Sequence, residues 1–254
     1  MTITLTAHHE DLTFMTPLSE QRADSLVRFL TADLRGLALD IGCGWAELLL
    51  RVIAAAPDAA GFGVDSDAAA IAHGRELAEQ RGLTDRVTLV CGDAKSESPE
   101  RADALICIGA SQIWGPAVEE NLPLDYSSAL LALRTKVPRG ARVIYGEGIW
   151  SRPPTQAAVE PLSGRFDELV PLPELVELAV AHGFMPVAVQ EASIDEWDEF
   201  ESGFTARYAK WLAKHGPDHE DAAEIRARFE RQRAAYLHGY RGILGMAYLC
   251  LLAV

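Results

Sequence analysis

From residue 37 onward, short apolar runs take turns with amphipathic helical stretches, and this alternation is the strongest constraint on what the chain can fold into. The apolar runs are Leu37–Ile41, 61–64, Val87–Cys91, Ala104–Ile108, 142–145 and 185–189, with a last one at 244–252. The spacing predicts helices over about 45–56, 67–81, 122–137 and 173–182. Most of the runs are continuously apolar, the mark of strands buried on both faces. Helices between such strands imply crossover connections, so the expected fold is α/β: a doubly wound, mostly parallel, seven-stranded sheet. One helix precedes the alternation. Ser19 reads as its N-cap with Glu20 in the first turn; Ala23, Leu26, Val27, Leu30 and Leu34 follow at helical spacing, and Gly36 ends it. Residues 1–18 read as irregular.

One segment departs from the pattern. Residues 195–240 offer no strand, yet they hold 8 of the chain's 19 aromatic residues. Trp197, Phe200, Phe204, Tyr208 and Trp211 fall on one helical stripe, and Ile225, Phe229, Tyr236 and Tyr240 on a second. Two helices inserted before the final strand account for both stripes. Their rings either pack the helices onto the sheet or line a substrate pocket; Trp197 and Tyr208 are the candidates for the second role. The expected organisation is therefore 1–35 as an N-terminal lid and helix, 36–194 as an α/β core, 195–240 as a helical cap, and 241–254 as the last strand of the core.

Composition narrows the function classes. The formal charge is −14, which disfavours a partner with a polyphosphate backbone. No apolar run reaches the ~18 residues of a membrane span, and the first residues show neither a basic nor an apolar leader region. Cys43, Cys91, Cys107 and Cys250 form no CxxC pair, so reduced thiols in a cytoplasmic protein are expected, with no disulfide frame and no metal site.

The most informative local run is 39–47, LDIGCGWAE, which leaves a strand and opens a helix. Gly42 and Gly44 permit a tight turn and let a ligand approach the backbone. The helix start offers free N–H groups. Asp40 puts a carboxylate at the carboxyl edge of the sheet, where open α/β sheets bind their ligands. Three further strand ends repeat the theme. Asp65 lies 21 residues after Gly44, placed to accept from two ribose hydroxyls, with Ser66 next to it. Gly92, Asp93 and Ala94 end the third strand, where an Asp accepts from an exocyclic amine. Gly109 and the small residues after it end the fourth.

With these residues in place, the chain resembles the class I S-adenosylmethionine-dependent methyltransferases of small-molecule type. The resemblance rests on DIGCG at 40–44, VDSD at 64–67, CGDA at 91–94 and PRGARVIYGEG at 138–148. It implies the Rossmann-like methyltransferase fold, S-adenosyl-L-methionine as cofactor and S-adenosyl-L-homocysteine as product. By that resemblance Gly42, Cys43 and Gly44 border the methionine part and Asp40 its amine; Asp65 holds the ribose; Asp93 with Ala94 faces the adenine amine; and Gly109 sits under the sulfonium. FMTPLSEQR is similar to a leading segment of small-molecule members, which implies that Ser19 approaches the methionine carboxylate. Two departures matter. The third glycine is Ala46 here, and GASQIW follows the fourth strand in place of an NPPY-like run, which disfavours nucleobase amino methylation.

Methyl transfer from a sulfonium is an in-line displacement, so alignment and exclusion of water are the main tasks, and a base is needed only if the acceptor must lose a proton. Glu147, read as ending the fifth strand, is the candidate base. Gln112, Trp114, Tyr126 and Trp150 are candidates to contact the acceptor. Two alternatives stay open: a non-methylating relative that binds the cofactor structurally or for cyclisation, and an NAD(P)-dependent oxidoreductase. Against the oxidoreductase, GxGxxG would need glycine at 47, and a pyrophosphate would be repelled by Asp40 and Glu47. The acceptor and the oligomeric state are not legible in the sequence.

Overall fold

The computed structural model describes residues 5–115 and 121–254. Its seven strands form one sheet in the order β3-β2-β1-β4-β5-β7-β6. They are β1 (Leu37–Ile41), β2 (Ala60–Asp65), β3 (Val87–Cys91), β4 (Ala104–Ile108), β5 (Arg142–Trp150), β6 (Phe184–Glu191) and β7 (Leu244–Ala253). The first five pair in parallel, while β7 runs antiparallel to both β5 and β6. The doubly wound, mostly parallel sheet expected from the alternation is therefore present. The order reverses between β1 and β4, which opens a crevice beyond their carboxyl ends.

The two faces bury separate cores. On one, α1 (Glu20–Thr31), α2 (Glu47–Ala55) and α3 (Ala68–Gln80) cover residues such as Ala38, Ile106 and Tyr248. On the other, α5 (Tyr126–Thr135) and α7 (Leu172–Ala181) cover Leu39, Ile41, Leu105 and Tyr145. Successive residues of β1 enter opposite cores, which is why its sequence is apolar without alternation. A single turn, α4 (Ala94–Glu97), follows β3, and another, α6 (Gln156–Val159), follows β5.

Side-chain caps set the helix starts. Ser19 accepts from the Arg22 N–H, and Asp67 from Ala69 and Ala70. Asp125 accepts from Ser128, so the helix expected over 122–137 begins only at Tyr126. β5 runs on past the apolar stretch 142–145 and past Glu147, through both Gly146 and Gly148. A Cβ at Gly146 would lie 3.1 Å from both the Ala247 carbonyl oxygen and Ile108. Glycine there serves strand packing, and the antiparallel pairing with β7 extends β5 to Trp150. Glu147 consequently lies inside the strand, not at its end.

Between β6 and β7 come α8 (Ile194–His215) and α9 (Ala222–Ala234), followed by a π-helical turn at Ala235–Tyr240. α8 opens with a reciprocal capping box between Ser193 and Glu196. The Glu196 carboxylate also receives the Arg22 guanidinium at 2.8 Å, the Ser19 hydroxyl and the Ser19 N–H, which fastens the start of α8 to the start of α1. Burial alone would push Glu196 up; these donors override it and hold the carboxyl down at about 2. Among the described residues no helix is long and apolar enough to cross a membrane, no group of side chains is arranged to hold a metal ion, and all four cysteines are free.

Candidate active site

The crevice beyond β1 and β4 holds a cavity of about 350 Å³. The turn after β1 forms its floor. Gly42 and Gly44 adopt left-handed backbone, with φ of 70° and 54°. A Cβ at Gly42 would stand 2.5 Å from the Ala110 Cβ, so no other residue fits there. Ala46 also has φ 59°, a conformation that costs an alanine roughly 1 kcal/mol or more. The turn is held by the N–H groups of Gly42 and Cys43, which donate to the Val64 carbonyl, and by the Gly44 N–H, which donates to the Asp65 carboxylate at 2.7 Å.

Two carboxylates reach this cavity without a cation. Asp40, on β1 between Gly63 and Ile106, is only 4% exposed. No hydrogen bond reaches its carboxylate among the described residues, and burial, with Asp65 close by, pushes it up to about 8. Asp65 accepts from Gly44 and Asp67. It forms the wall shared with a second cavity of about 190 Å³, where Ser66, Gly92, Asp93 and Ala94 are found together with Gln112. Gly42 and Gly109 border both cavities. The structure thus strings Asp40, Asp65 and Asp93 along two adjoining hollows. The Cys43 thiol, also on the wall of the first, is held up by burial and by the two aspartates.

Glu47 touches the same cavity but differs in kind. Its two oxygens accept from Arg51 and Arg81, each at 2.7 Å. Its charge is answered, which leaves Asp40, of the two acids thought to repel a pyrophosphate, as the one without a cation among the described residues.

The sequence reading expected a lid within residues 1–35 but named none of its wall residues. Phe14, Met15, Thr16, Pro17 and Leu18 close the cavity from above, with Phe200 of α8 and Met246 of β7 beside them. The segment is tied down: Trp45 Nε1 donates to the Thr13 carbonyl, the Tyr248 hydroxyl to that of Pro17, and Lys210 pairs with Asp11. No periodicity announces such a strap; its one sequence signal is the apolar cluster FMTPL ahead of the Ser19 cap.

Several expected site residues lie elsewhere. Ser19 is off the cavity wall, its hydroxyl given to Glu196 at 2.6 Å. Glu147 is sealed inside: it accepts from the Ser111 and Gly148 N–H groups at 3.0 Å, and burial, partly offset by those bonds, raises its carboxyl. It lines neither cavity. Tyr126 donates to the Gly148 carbonyl from the core under α5 and α7, and Trp114 packs against that core; Trp150, also buried, donates to the Phe166 carbonyl. Trp197 packs edge-on to Phe200 without reaching the wall. Tyr208 belongs to a small cluster with Trp211 and Ile225 between α8 and α9. Gln112 donates to the Gly109 carbonyl at the second cavity. Aromatic type and helical spacing marked these rings, but spacing cannot say which neighbour a stripe will meet.

Residues 38–122 match a family model described as a methyltransferase domain. Over 240 residues the chain is 26% identical to YjhP of Escherichia coli K12, itself uncharacterised, spanning 93% of this chain and 92% of YjhP. The X-ray structure of YjhP matches with a TM-score of 0.80, over 97% of this chain and 98% of the other at 25% identity. A SAM-dependent methyltransferase from Geobacter sulfurreducens, in complex with S-adenosyl-L-homocysteine, matches with a TM-score of 0.82 at 25% identity, over 97% and 96% of the two chains. The [4+2]-cyclase SpnF shares the fold alone, with a TM-score of 0.64 at 21% identity over 92% of this chain and 80% of SpnF.

Proposed function

We propose that this chain, a class I S-adenosylmethionine-dependent methyltransferase by family, binds S-adenosyl-L-methionine across the two adjoining cavities and directs its methyl group to an O, N or C atom of a small molecule. The observation that carries this reading is Asp40: a buried carboxylate with no partner among the described residues, facing a cavity beside a second carboxylate. Such a pair calls for a positively charged ligand, and a cofactor with an ammonium, a sulfonium and ribose hydroxyls fits it. A dinucleotide pyrophosphate does not.

In this reading Asp40 faces the amine, Gly42, Cys43 and Gly44 border the methionine part, and Asp65 takes the ribose hydroxyls with Ser66 at its side. Gly92, Asp93 and Ala94 receive the adenine, and Gly109 lies under the sulfonium. The bound cofactor supplies an electrophilic methyl group on a good leaving group. The protein's part is alignment and dryness: Phe14 and Phe200 keep water from the cavity, and the glycine turn fixes the backbone donors. Glu147 lies away from both hollows and takes no part as a base. Residues 1–35 act as lid and first helix, 36–194 as the cofactor-binding core, 195–240 as cap and 241–254 as the closing strand. The charge of −14 and the free thiols fit a cytoplasmic enzyme whose partner is a small molecule, neither nucleic acid nor membrane.

A second reading, a non-methylating relative that holds the cofactor structurally or for cyclisation, draws on the sealing of Glu147 and on the fold shared with a cyclase. Calorimetry decides the first step. S-adenosyl-L-homocysteine is expected to bind the full chain, NAD not to bind, and Asp65→Ala to weaken the nucleoside by roughly 1–3 kcal/mol. Native affinity in Asp65→Ala would refute the ribose assignment. Tight binding with no methyl transferred to any of a broad acceptor panel would favour the second reading.

A further inference from the structure

The strap that roofs the cavity is held at its outer end by histidines. A helical turn, His8–Glu10, lies between α3 and α8. On the α3 side the His9 ring stacks face to face on His73, with centroids 3.6 Å apart and planes 11° from parallel, and the Trp45 ring stands edge-on to both. On the α8 side the His8 ring stacks on Phe204 at 4.3 Å. Leu12 packs with Trp45, Ala70 and Phe204. α8 passes so close that a Cβ at Gly203 would lie 2.9 Å from the Asp11 carbonyl oxygen. The turn therefore joins cap to core, and the roof, Phe14 to Leu18, follows directly from it.

The charges facing these rings come from three elements. Around His9 stand His73 and Glu76 of α3 and the adjacent Glu10. Around His8 stand Arg207 of α8, Asp67 at the start of α3, and His9. The Glu76 carboxylate lies 3.5 Å from His73 Nδ1, and Asp11 is taken by Lys210. These acids answer one positive charge in the His9–His73 stack, but two imidazolium rings held face to face repel at contact distance. His8 has its Nδ1 buried with no hydrogen bond among the described residues. Burial first, then Arg207 for His8 and His73 for His9, holds both histidines below their usual range. Such groups bind protons more readily once the strap lets go. The contacts are therefore at full strength above about pH 6.5 and weaken as the pH falls below it.

Resting on the lid role proposed above for residues 1–35, we propose that the turn His8–Glu10 is a pH-sensitive latch: it holds the roof shut while at least one ring of the His9–His73 stack is neutral, and acidification frees the turn from α3 and lets the roof lift from the cavity.

Amide hydrogen exchange on the full chain, without ligand, tests the latch, so the outcome is independent of what the cavity binds. With the chemical pH dependence of exchange divided out, residues 8–18 are expected to exchange at least about tenfold faster at pH 5.5 than at pH 7.5, while β1 keeps one rate. His9→Phe and His73→Phe each keep an aromatic ring in the stack but take no proton. Each is expected to cut the acceleration to about threefold or less, with His8 supplying what is left. The two residues sit on different elements, so a folding defect in one variant leaves the other to decide. The proposal is overturned if 8–18 exchanges equally at the two pH values, or if either folded variant accelerates as fully as wild type. It is also overturned if β1 accelerates alongside 8–18, because the event is then unfolding of the whole chain.

Discussion

Asp40 and Glu147 are both buried carboxylates on neighbouring stretches of one sheet, yet their surroundings are opposite. Glu147 is 5% exposed and Asp40 4%. Glu147 receives two backbone N–H groups at 3.0 Å, one from the loop after β4 and one from its own strand. Asp40 receives none among the described residues and opens on a cavity. The difference teaches that burial of an acid marks a ligand site only where the protein leaves its charge unanswered. Where donors are supplied internally, the acid is a structural clamp, here holding Ser111 and with it the loop that carries Gly109.

The comparison can be broken at the turn that creates the opening. Gly42→Ala combines a left-handed φ with a 2.5 Å approach to Ala110, and is expected to cost about 3 kcal/mol in urea unfolding and to abolish cofactor binding. A variant as stable as wild type would show the turn to be adaptable.

Asp40→Asn sharpens the contrast, because its two effects have opposite signs. Cofactor affinity is expected to fall by roughly 1–3 kcal/mol, while the ligand-free chain gains roughly 2 kcal/mol at pH 8. Asp40 rises from the ordinary carboxyl range to about 8 in the folded chain. Its contribution to folding is therefore complete below about pH 4 and is lost as the pH climbs toward 8. The stability difference between wild type and variant, followed by urea unfolding across that window, should widen with pH. A constant difference would mean that Asp40 is answered by a partner.

Glu147→Gln is expected to do least. One amide N–H must face a backbone N–H, at a cost of about 1–2 kcal/mol in stability. Affinity for S-adenosyl-L-homocysteine should change by less than about threefold and the pH profile of turnover not at all. A loss of turnover of 100-fold or more with unchanged stability, the signature of a lost base, would reverse the roles assigned to the two acids.

Much of the frame was legible in the order of residues. Strand alternation, the turn 42–46, and the acids at 40, 65 and 93 all follow from contacts near in sequence: a cap three residues on, a turn closed within a few peptides, a strand apolar on both faces. Ser19, Tyr126, Trp150 and Tyr208 were misplaced relative to the cavity, because each is committed to a partner far along the chain or across a helix pair that spacing does not name. A lid was expected over 1–35, but its wall residues were not legible for the same reason: Phe14 to Leu18 have no periodicity, and only Tyr248, Trp45 and α8 fix where they lie.

By itself, then, the sequence determined the alternation of strands and helices and the chemistry of the crevice floor, since local sterics and hydrophobic period set these directly. Only the tertiary structure decided which carboxylates keep an unanswered charge, because pairing depends on which distant donors folding brings within about 3 Å. Glu47 finds two arginines and Glu147 two amides, while Asp40 is left to face a ligand.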